Sequence, residues 1–324
     1  MRMQAHEDMD LSIIIVNWNS KEYLEKCIES ILLWTIDIRY EIIVIDGASF
    51  DGCGEMLQRC FPQARFIQSK ENIGFAKANN AAFRESSGRY ILFLNPDTEL
   101  INPAINIMFD YIRKAPNNGA IGCKLLNADK TIQTSCLQAF PTILNQFLDS
   151  EILRRLWPKA LLWGNTLLFG VQIKPGEVQG IAGACIMVKR SIFEKIGFFS
   201  EDYFMYAEDL DLCYKIKQAG YTNYYIPDAT VIHFGGGSTQ NSPSDFSVVM
   251  MRESVCRFMR KTGGNVYALV YRVSMLISAI CRLALLAIVF PLYLFRRGGE
   301  SWNGSFRKWK AILAWSLGLK DLGL

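Results

Sequence analysis

Histidine is almost missing from this chain: among 324 residues only His6 and His233 carry an imidazole. A histidine-rich metal centre is therefore excluded, and each ring is worth locating. None of the nine cysteines forms a CxxC pair, and most fall in apolar segments. Buried free thiols in a reducing cytoplasm are predicted, rather than a disulfide framework or a zinc site. The first ten residues hold no apolar run of the kind a signal peptide needs, so none is expected. Charge of one sign is scarce too, since 35 Lys and Arg against 31 Asp and Glu leave +4. That gives no argument for nucleic acid as a partner. What is plentiful is apolar: 50% of residues are hydrophobic and 20% charged, which excludes a disordered chain. The length suits one large α/β domain with an appendage.

Apolar runs alternate with helical periodicity along the first hundred residues. Residues 11–16 read as a buried, parallel-type strand, and Ser20 can cap a helix with apolar positions Leu24, Cys27, Ile28, Ile31 and Leu32. A second strand, 41–46, ends in Asp46 and leads through the loop 47–52 into another helix. The repeat continues through 65–68, a helix after Gly74 and a strand at 90–94. It predicts βαβ units with right-handed crossovers and a mostly parallel sheet. Pro96 ends the last of these strands, because proline has no ladder N–H, and delivers Asp97 past its carboxyl end. Ligands bind at that edge of open α/β sheets, so Asp97 is either an Asx-turn residue or a cation ligand. A dinucleotide-dependent oxidoreductase needs a Gly-rich turn after its first strand, and Asn17-Trp18-Asn19 stands there instead. Asn72 and Gly74 open a helix whose start favours an anion or a carbonyl oxygen, a plain cap being the alternative.

Between residues 120 and 177 the pattern loosens. Leu148, Ile152, Leu153, Leu156, Leu161 and Leu162 around Arg154 and Arg155 read as amphipathic helices that cover a cleft, touch a membrane surface or pack on the core. Residues 180–188 return to strand, with Gly183 and Ala184 small where something must come close. Glu208, Asp209 and Asp211 then begin a helix that Gly220 ends. On a helical wheel Asp209 falls within the apolar stripe of Leu212, Cys213, Ile216 and Ala219, whereas Asp211 falls opposite it, near Lys215. An inward carboxylate is paired, bound to a cation or used in chemistry, which makes Asp209 the candidate base. No second inward acid suggests hydrolysis. His233 ends a short strand beside the glycine-rich stretch 234–240, which suits a lid, an anion-cradling loop or a linker. So placed, His233 is a candidate ligand.

Seven stretches occur in order: Ile-Val-Asn-Trp-Asn at 15–19, Val-Ile-Asp-Gly-Ala-Ser-Phe-Asp-Gly at 44–52, Asn-Ile-Gly-Phe-Ala-Lys-Ala-Asn-Asn at 72–80, Leu-Asn-Pro-Asp-Thr at 94–98, Gly-Ala-Cys at 183–185, Glu-Asp-Leu-Asp-Leu-Cys at 208–213, and His233 with its glycines. Each is weak alone. As an ordered set they resemble a family 2 glycosyltransferase of the GT-A fold, and within it the bacterial rhamnosyltransferase-like enzymes of surface polysaccharide synthesis. The resemblance covers roughly residues 11–260. It implies an α/β fold with a Rossmann-like, mostly parallel central sheet flanked by helices. It also implies a nucleotide-sugar site at Asn17, Asp46, Asn72, Gly74, Asn79 and Asn95. Mg²⁺ or Mn²⁺ on the donor diphosphate would be held by Asp97 and His233, and Asp209 would be the general base of an inverting transfer. Gly183, Ala184, Glu208 and Asp211 would lie around the acceptor. The implied donor is dTDP-rhamnose and the implied acceptor a lipid-linked saccharide. Two positions depart from the family pattern: Asn95 replaces the first acid of the metal motif, and Gly47 replaces the asparagine usual after Asp46. A non-catalytic nucleotide-binding membrane scaffold, or an enzyme using another UDP- or GDP-sugar, are the alternatives.

A transferase domain is predicted at 1–262 and a helical membrane-association region at 263–324. Residues 266–295 are mostly apolar, but Arg272, Arg282 and Pro291 interrupt them, so the unbroken runs fall short of the about 20 residues a span needs. Arg296, Arg297, Arg307, Lys308 and Lys310 then interleave with Trp302, Trp309 and Trp315, a mixture typical of a headgroup interface on an anionic leaflet. Helices lying in or dipping into the cytoplasmic leaflet of the inner membrane are expected, with a homo-oligomer surface as the alternative. A processive synthase with a membrane channel would need several long apolar spans, which the sequence lacks.

Overall fold

The structure, a computed structural model, describes residues 9–169, 174–235, 245–295 and 299–319. His6, residues 236–240 of the glycine-rich stretch, Arg296 and Arg297 lie outside the described residues, as do the side chains of Ile152, Arg155 and Pro291. The chain forms two compact units: residues up to 140, 159–204 and 208–238 make the first, and 141–158, 205–207 and 239–324 the second.

The first unit is built on parallel strands β1 (Leu11–Asn17), β2 (Tyr40–Asp46), β3 (Arg65–Gln68) and β4 (Tyr90–Leu94), in the order β3-β2-β1-β4. Helices α1 (Lys21–Trp34), α2 (Cys53–Cys60) and α3 (Phe75–Arg84) make the crossovers. The continuous apolar runs of these strands follow from burial on both faces. Ile13 and Ile15 pack in one layer with Leu24 and Ile28 of α1, and Ile14 packs in the other with Ala76 and Phe83 of α3. The chain builds outward from β1 through β2 and β3, then returns to place β4 on β1's other side. Strand order therefore reverses between β1 and β4, and a crevice opens at their carboxyl ends.

The rest of the sheet is mixed. After β5 (Thr98–Leu100) and α4 (Ala104–Lys114), β6 (Asn118–Leu126) enters, and a two-stranded ribbon pairs β7 (Leu137–Gln138) with β9 (Gly180–Ile181). β8 (Gly176–Val178), β10 (Cys185–Lys189) and β11 (Thr222–His233) follow, with α7 (Arg190–Lys195) and α8 (Glu208–Gln218) between the last two strands. β10 runs antiparallel to β4 and β6, while β11 runs parallel to β6 and antiparallel to β5 and β8. The single strand expected at 180–188 is broken, because Ala182, Gly183 and Ala184 leave the ladder. Their backbone groups are committed elsewhere: Ala182 donates its N–H to the Cys136 carbonyl (3.0 Å), and the Ala184 carbonyl accepts the Asn95 N–H (2.9 Å). All nine cysteines are free, seven of them buried.

The second unit contains α5 (Ile143–Leu148), α6 (Glu151–Leu156), α9 (Asp245–Phe295) and α10 (Gly299–Ser316). Gly264, at φ 81° and ψ −179°, interrupts α9, so two helices follow end to end. Ala268, Tyr271, Met275 and Ala279 pack with Trp309, Ile312 and Trp315 of α10. Arg272 faces the same way. It donates to the Trp315 carbonyl (2.6 Å) and lies over the Trp315 ring. Arg282 donates to the Phe147 carbonyl (3.0 Å) and lies over the Trp309 ring. The expectation that these arginines break the apolar run is thus corrected: they occupy the packed face and leave the outer one unbroken. Val266, Leu269, Val273, Ile277, Ile280 and Ile288 are all exposed. Over those residues the face extends roughly 33 Å at 1.5 Å per residue. By length and composition this helix is apolar enough to cross a membrane.

Candidate active site

The crevice between β1 and β4 gathers the predicted residues in three groups. The first lies past β4, where the chain passes through Asn95, Pro96 and Asp97 to β5 at the far edge of the sheet. β11 pairs with β5 so that His233 stands opposite Thr98. That register brings His233 Nε2 to 3.3 Å from Asp97 Oδ1 and 3.4 Å from Asn95 Nδ2. His233 Nδ1 is 2.8 Å from Gln133 Oε1. The Gln133 amide nitrogen is engaged by Asn127 Oδ1 (3.2 Å), so its oxygen faces the ring. Gln133 Oε1 is therefore placed to accept a proton from Nδ1, and Nε2 is turned toward Asp97. A proton on Nε2 or a cation joins the two groups, and an oxygen and an imidazole nitrogen side by side are donors that a divalent cation accepts. Among the described residues no cluster of three or more His, Cys, Asp and Glu could hold a metal unaided.

The second group is a closed network under the loop after β2. Asn17 is buried at the end of β1, its Nδ2 donating to Asp46 Oδ1 (2.8 Å) and its Oδ1 lacking a partner. Asp46 also accepts from Ser49 Oγ (2.6 Å), Ser49 N–H (2.8 Å) and Gln68 Nε2 (2.9 Å). Burial would raise the Asp46 carboxyl, but the donors of Ser49, Gln68 and Asn17 together outweigh it and hold it below its usual range. Both Asp46 oxygens therefore brace the loop. Ser49, within the 44–52 stretch, and Gln68, which no motif marks, also line a cavity of about 720 Å³ beside α2 and β3. A Cβ on Gly47 would lie 3.5 Å from the Asn17 carbonyl oxygen and 3.6 Å from Asn72 Cα, so packing does not demand glycine there.

At the start of α3, Asn72 Oδ1 accepts the Gly74 N–H (3.0 Å) in an Asx turn. Gly74 has φ 82°, and a Cβ there would stand 2.5 Å from the Phe204 carbonyl oxygen, which itself accepts the Phe75 N–H (2.9 Å). Glycine is required both by dihedral and by space. Asn79 is buried and bonds back to the Phe75 carbonyl (3.0 Å). Its neighbour Asn80, overlooked in the motif, clasps Phe199 from both sides, accepting its N–H (3.1 Å) and donating to its carbonyl (2.9 Å).

The third group opens α8. Asp209 Oδ2 accepts the Gly183 N–H (2.9 Å), and Leu210 N–H donates to Oδ1 (2.7 Å). One residue beyond Gly183, the Ala184 carbonyl holds Asn95. The candidate base and the turn that bears Asp97 thus hang on consecutive residues of one connection. Burial pushes the Asp209 carboxyl up, and the N–H groups of Gly183 and Leu210 partly offset it. Glu208 is more deeply buried and its Oε2 has no hydrogen-bond partner; burial first, and the Asp209 charge second, push it up to about 8. Tyr206 and Ala207, just before the helix, hold φ of 70° and 62°, a strained geometry for side-chain-bearing residues. Asp211 departs from the helical-wheel expectation. It is only 2% exposed and accepts from Ser200 Oγ (2.5 Å) and Tyr203 Oη (3.4 Å). Residues 198–203 fold back over the face that a wheel assigns to solvent, and Asp211 fastens them there.

A model of glycosyl transferase family 2 matches residues 12–197, and one of glycosyl transferase family group 2 matches residues 158–319. The chain belongs to glycosyl transferase family 2. It is 28% identical over 247 residues to an N-acetylglucosaminyl-diphospho-decaprenol L-rhamnosyltransferase of Mycobacterium tuberculosis, covering 72% of this chain and 79% of that one. It is also 28% identical to the rhamnosyltransferase WbbL of Escherichia coli, covering 68% of this chain and 82% of that one. The solved mannosyltransferase PcManGT from Pyrobaculum calidifontis, in complex with GDP-Man and Mn²⁺, superposes with a TM-score of 0.56 at 15% identity, over 96% of this chain and 88% of that one. The fold is GT-A.

Glu208 makes stability depend on pH in a stated direction. Its folded value of about 8 lies above the ordinary 4.5, so between those limits the folded chain keeps a proton that the unfolded chain releases. Stability from this group therefore falls as pH rises through that window. Glu208→Gln preserves the shape and removes the titration. Melting temperatures measured across pH should coincide with wild type near pH 5 and exceed it increasingly toward about pH 8. A difference that does not vary with pH would refute the assignment.

Proposed function

We propose that this family member is an inverting, metal-dependent transferase that moves a sugar from a nucleoside diphosphate to a hydroxyl of a lipid-linked saccharide in surface polysaccharide synthesis. The observation that carries the proposal is the connection at Gly183 and Ala184, which fastens a half-buried, proton-seeking Asp209 and the turn of Asn95 and Asp97 to adjacent residues. Asp209 takes the acceptor hydroxyl's proton as that oxygen attacks the anomeric carbon, opposite the departing nucleoside diphosphate. Asp97 and His233 would hold Mg²⁺ or Mn²⁺, which when bound neutralises charge developing on the leaving diphosphate. Gln133 keeps His233 in the tautomer that can serve as a ligand, and Asn95 steadies the ring from the other side. Asn17, Asp46, Asn72, Gly74 and Asn79 shape the donor side of the crevice. Glu208 lies beside the base, and Asp211 fixes the loop that covers its helix.

The donor in this reading is dTDP-rhamnose, in keeping with the rhamnosyltransferase names of both relatives. A diphosphate-linked prenyl saccharide as acceptor accords with the mycobacterial one. The outer face of α9 would seat the second unit in the cytoplasmic leaflet of the inner membrane. A helix apolar on one side, with Arg272 and Arg282 packed on the other, suits a position in the leaflet better than a span surrounded by lipid.

Two experiments bear on these assignments. In transfer assays on purified full-length protein, Asp209→Asn should lower kcat by about 10²- to 10⁴-fold with little change in donor KM. Asp97→Ala should abolish the response to added Mg²⁺ or Mn²⁺ at an unchanged melting temperature. Near-wild-type turnover by Asp209→Asn would end the base assignment, and unfolding of Asp97→Ala would return Asp97 to a turn role. Separately, wild-type protein should float with anionic vesicles in a density gradient, and the double variant Val273→Glu, Ile277→Glu should stay at the bottom. Flotation of the double variant would locate membrane contact elsewhere.

A further inference from the structure

Met205, Tyr206 and Ala207 make a short excursion of the chain. They belong to the second unit, although Phe204 before them and Glu208 after them belong to the first. Two of the three hold left-handed backbone, at φ of 70° for Tyr206 and 62° for Ala207, which side chains disfavour. Such a geometry persists only where its surroundings fix it. Before the excursion, the Phe204 carbonyl accepts the Phe75 N–H (2.9 Å). After it, α8 begins at once, with Glu208 and the candidate base Asp209 as its first two residues. The excursion itself is held by Ser254 of α9, only 2% exposed, whose Oγ donates to the Met205 carbonyl (2.8 Å).

Three other helix hydroxyls of the second unit behave differently. Thr262 donates to the Phe258 carbonyl (2.9 Å), Ser274 to that of Tyr271 (2.7 Å) and Ser316 to that of Ile312 (2.8 Å), each within its own helix. A hydroxyl inside a helix ordinarily bonds back in this way. Ser254 instead reaches a carbonyl 49 residues earlier in the chain. Its neighbours Val255 and Cys256, with Val249 and Met259, are packed in the core of the second unit, so the donor is carried by a fixed element. We infer that Ser254 is a positioning residue for the transfer: by holding Met205 it fixes the turn at Tyr206 and Ala207, and with it the direction in which α8 presents Asp209. The Gly183 N–H aims the Asp209 carboxylate itself (2.9 Å), and Ser254 aims the helix start that carries it. Without that bond the two left-handed residues relax toward ordinary dihedrals, and the first turn of α8 moves with them. The role rests on the reading of Asp209 as the base, whereas the hold on the turn does not.

The test compares wild type, Ser254→Ala, Asp209→Asn and the double variant as purified full-length proteins, in transfer kinetics and in amide hydrogen exchange. Ser254→Ala should lower kcat about ten- to a hundredfold, the cost of a small misplacement, and leave the donor KM unchanged. Exchange over residues 205–209 should quicken while α10 keeps its wild-type protection. In the Asp209→Asn background the same substitution should lower kcat no further, because the group it positions is already gone. That non-additivity separates positioning of the base from general weakening of the fold. If Ser254→Ala does not fold, Ser254→Cys, of nearly the same size and a weak donor, takes its place in each arm. An unchanged kcat, unchanged exchange over 205–209, or an equal drop with and without Asp209 would each overturn the proposal. Near-wild-type turnover by Asp209→Asn would instead overturn the base assignment, and the positioning role with it.

Discussion

The hydrogen bond from the Gly183 N–H to Asp209 is the constraint on which the candidate site depends. It requires the strand around it to break, because an N–H that faced a neighbouring strand could not face α8. A Cβ at this position would lie 3.3 Å from the Asp209 Cβ, so any larger residue would press on the acid. The bond also ties the acid to the sheet, since the next residue holds Asn95 at the end of β4. A half-buried carboxylate held by an N–H keeps a definite orientation while partial burial raises its appetite for a proton. That combination of fixed aim and raised proton affinity is what a general base needs.

Several polar residues around the crevice do structural work. Asp46 has both oxygens occupied, Asn80 clasps Phe199 on both sides, and Asp211 fastens the loop over α8. These carboxylates and amides are buried with their partners supplied, so they stiffen the walls. Glu208 differs, because its buried Oε2 has no hydrogen-bond partner.

The second unit applies the same physics to a surface. Arg272 and Arg282 would be costly facing lipid, and each is instead stacked on a tryptophan of α10 and bonded to a carbonyl. Turning the charges inward leaves α9 a clean apolar face.

The βαβ alternation, the stop at Pro96 and the placing of Asp97 past a strand end were legible in the sequence, since each follows from local periodicity and from what proline can donate. The wheel that set Asp209 apart from its neighbours did not separate them, since Glu208 and Asp211 are both buried. The partners were not legible. Nothing near Gln133 announces that it orients His233, because the β5–β11 register that puts the ring beside Asp97 joins residues far apart in the chain. The burial of Asp211 depends on a loop returning over α8, and the harmless placing of Arg272 and Arg282 depends on α10. Sequence determined the elements and the acids they carry, because dihedral preference and hydrophobic period act over a few residues. Tertiary structure alone decided which of those acids are braces and which are left to act, because burial and pairing are properties of neighbours brought from elsewhere.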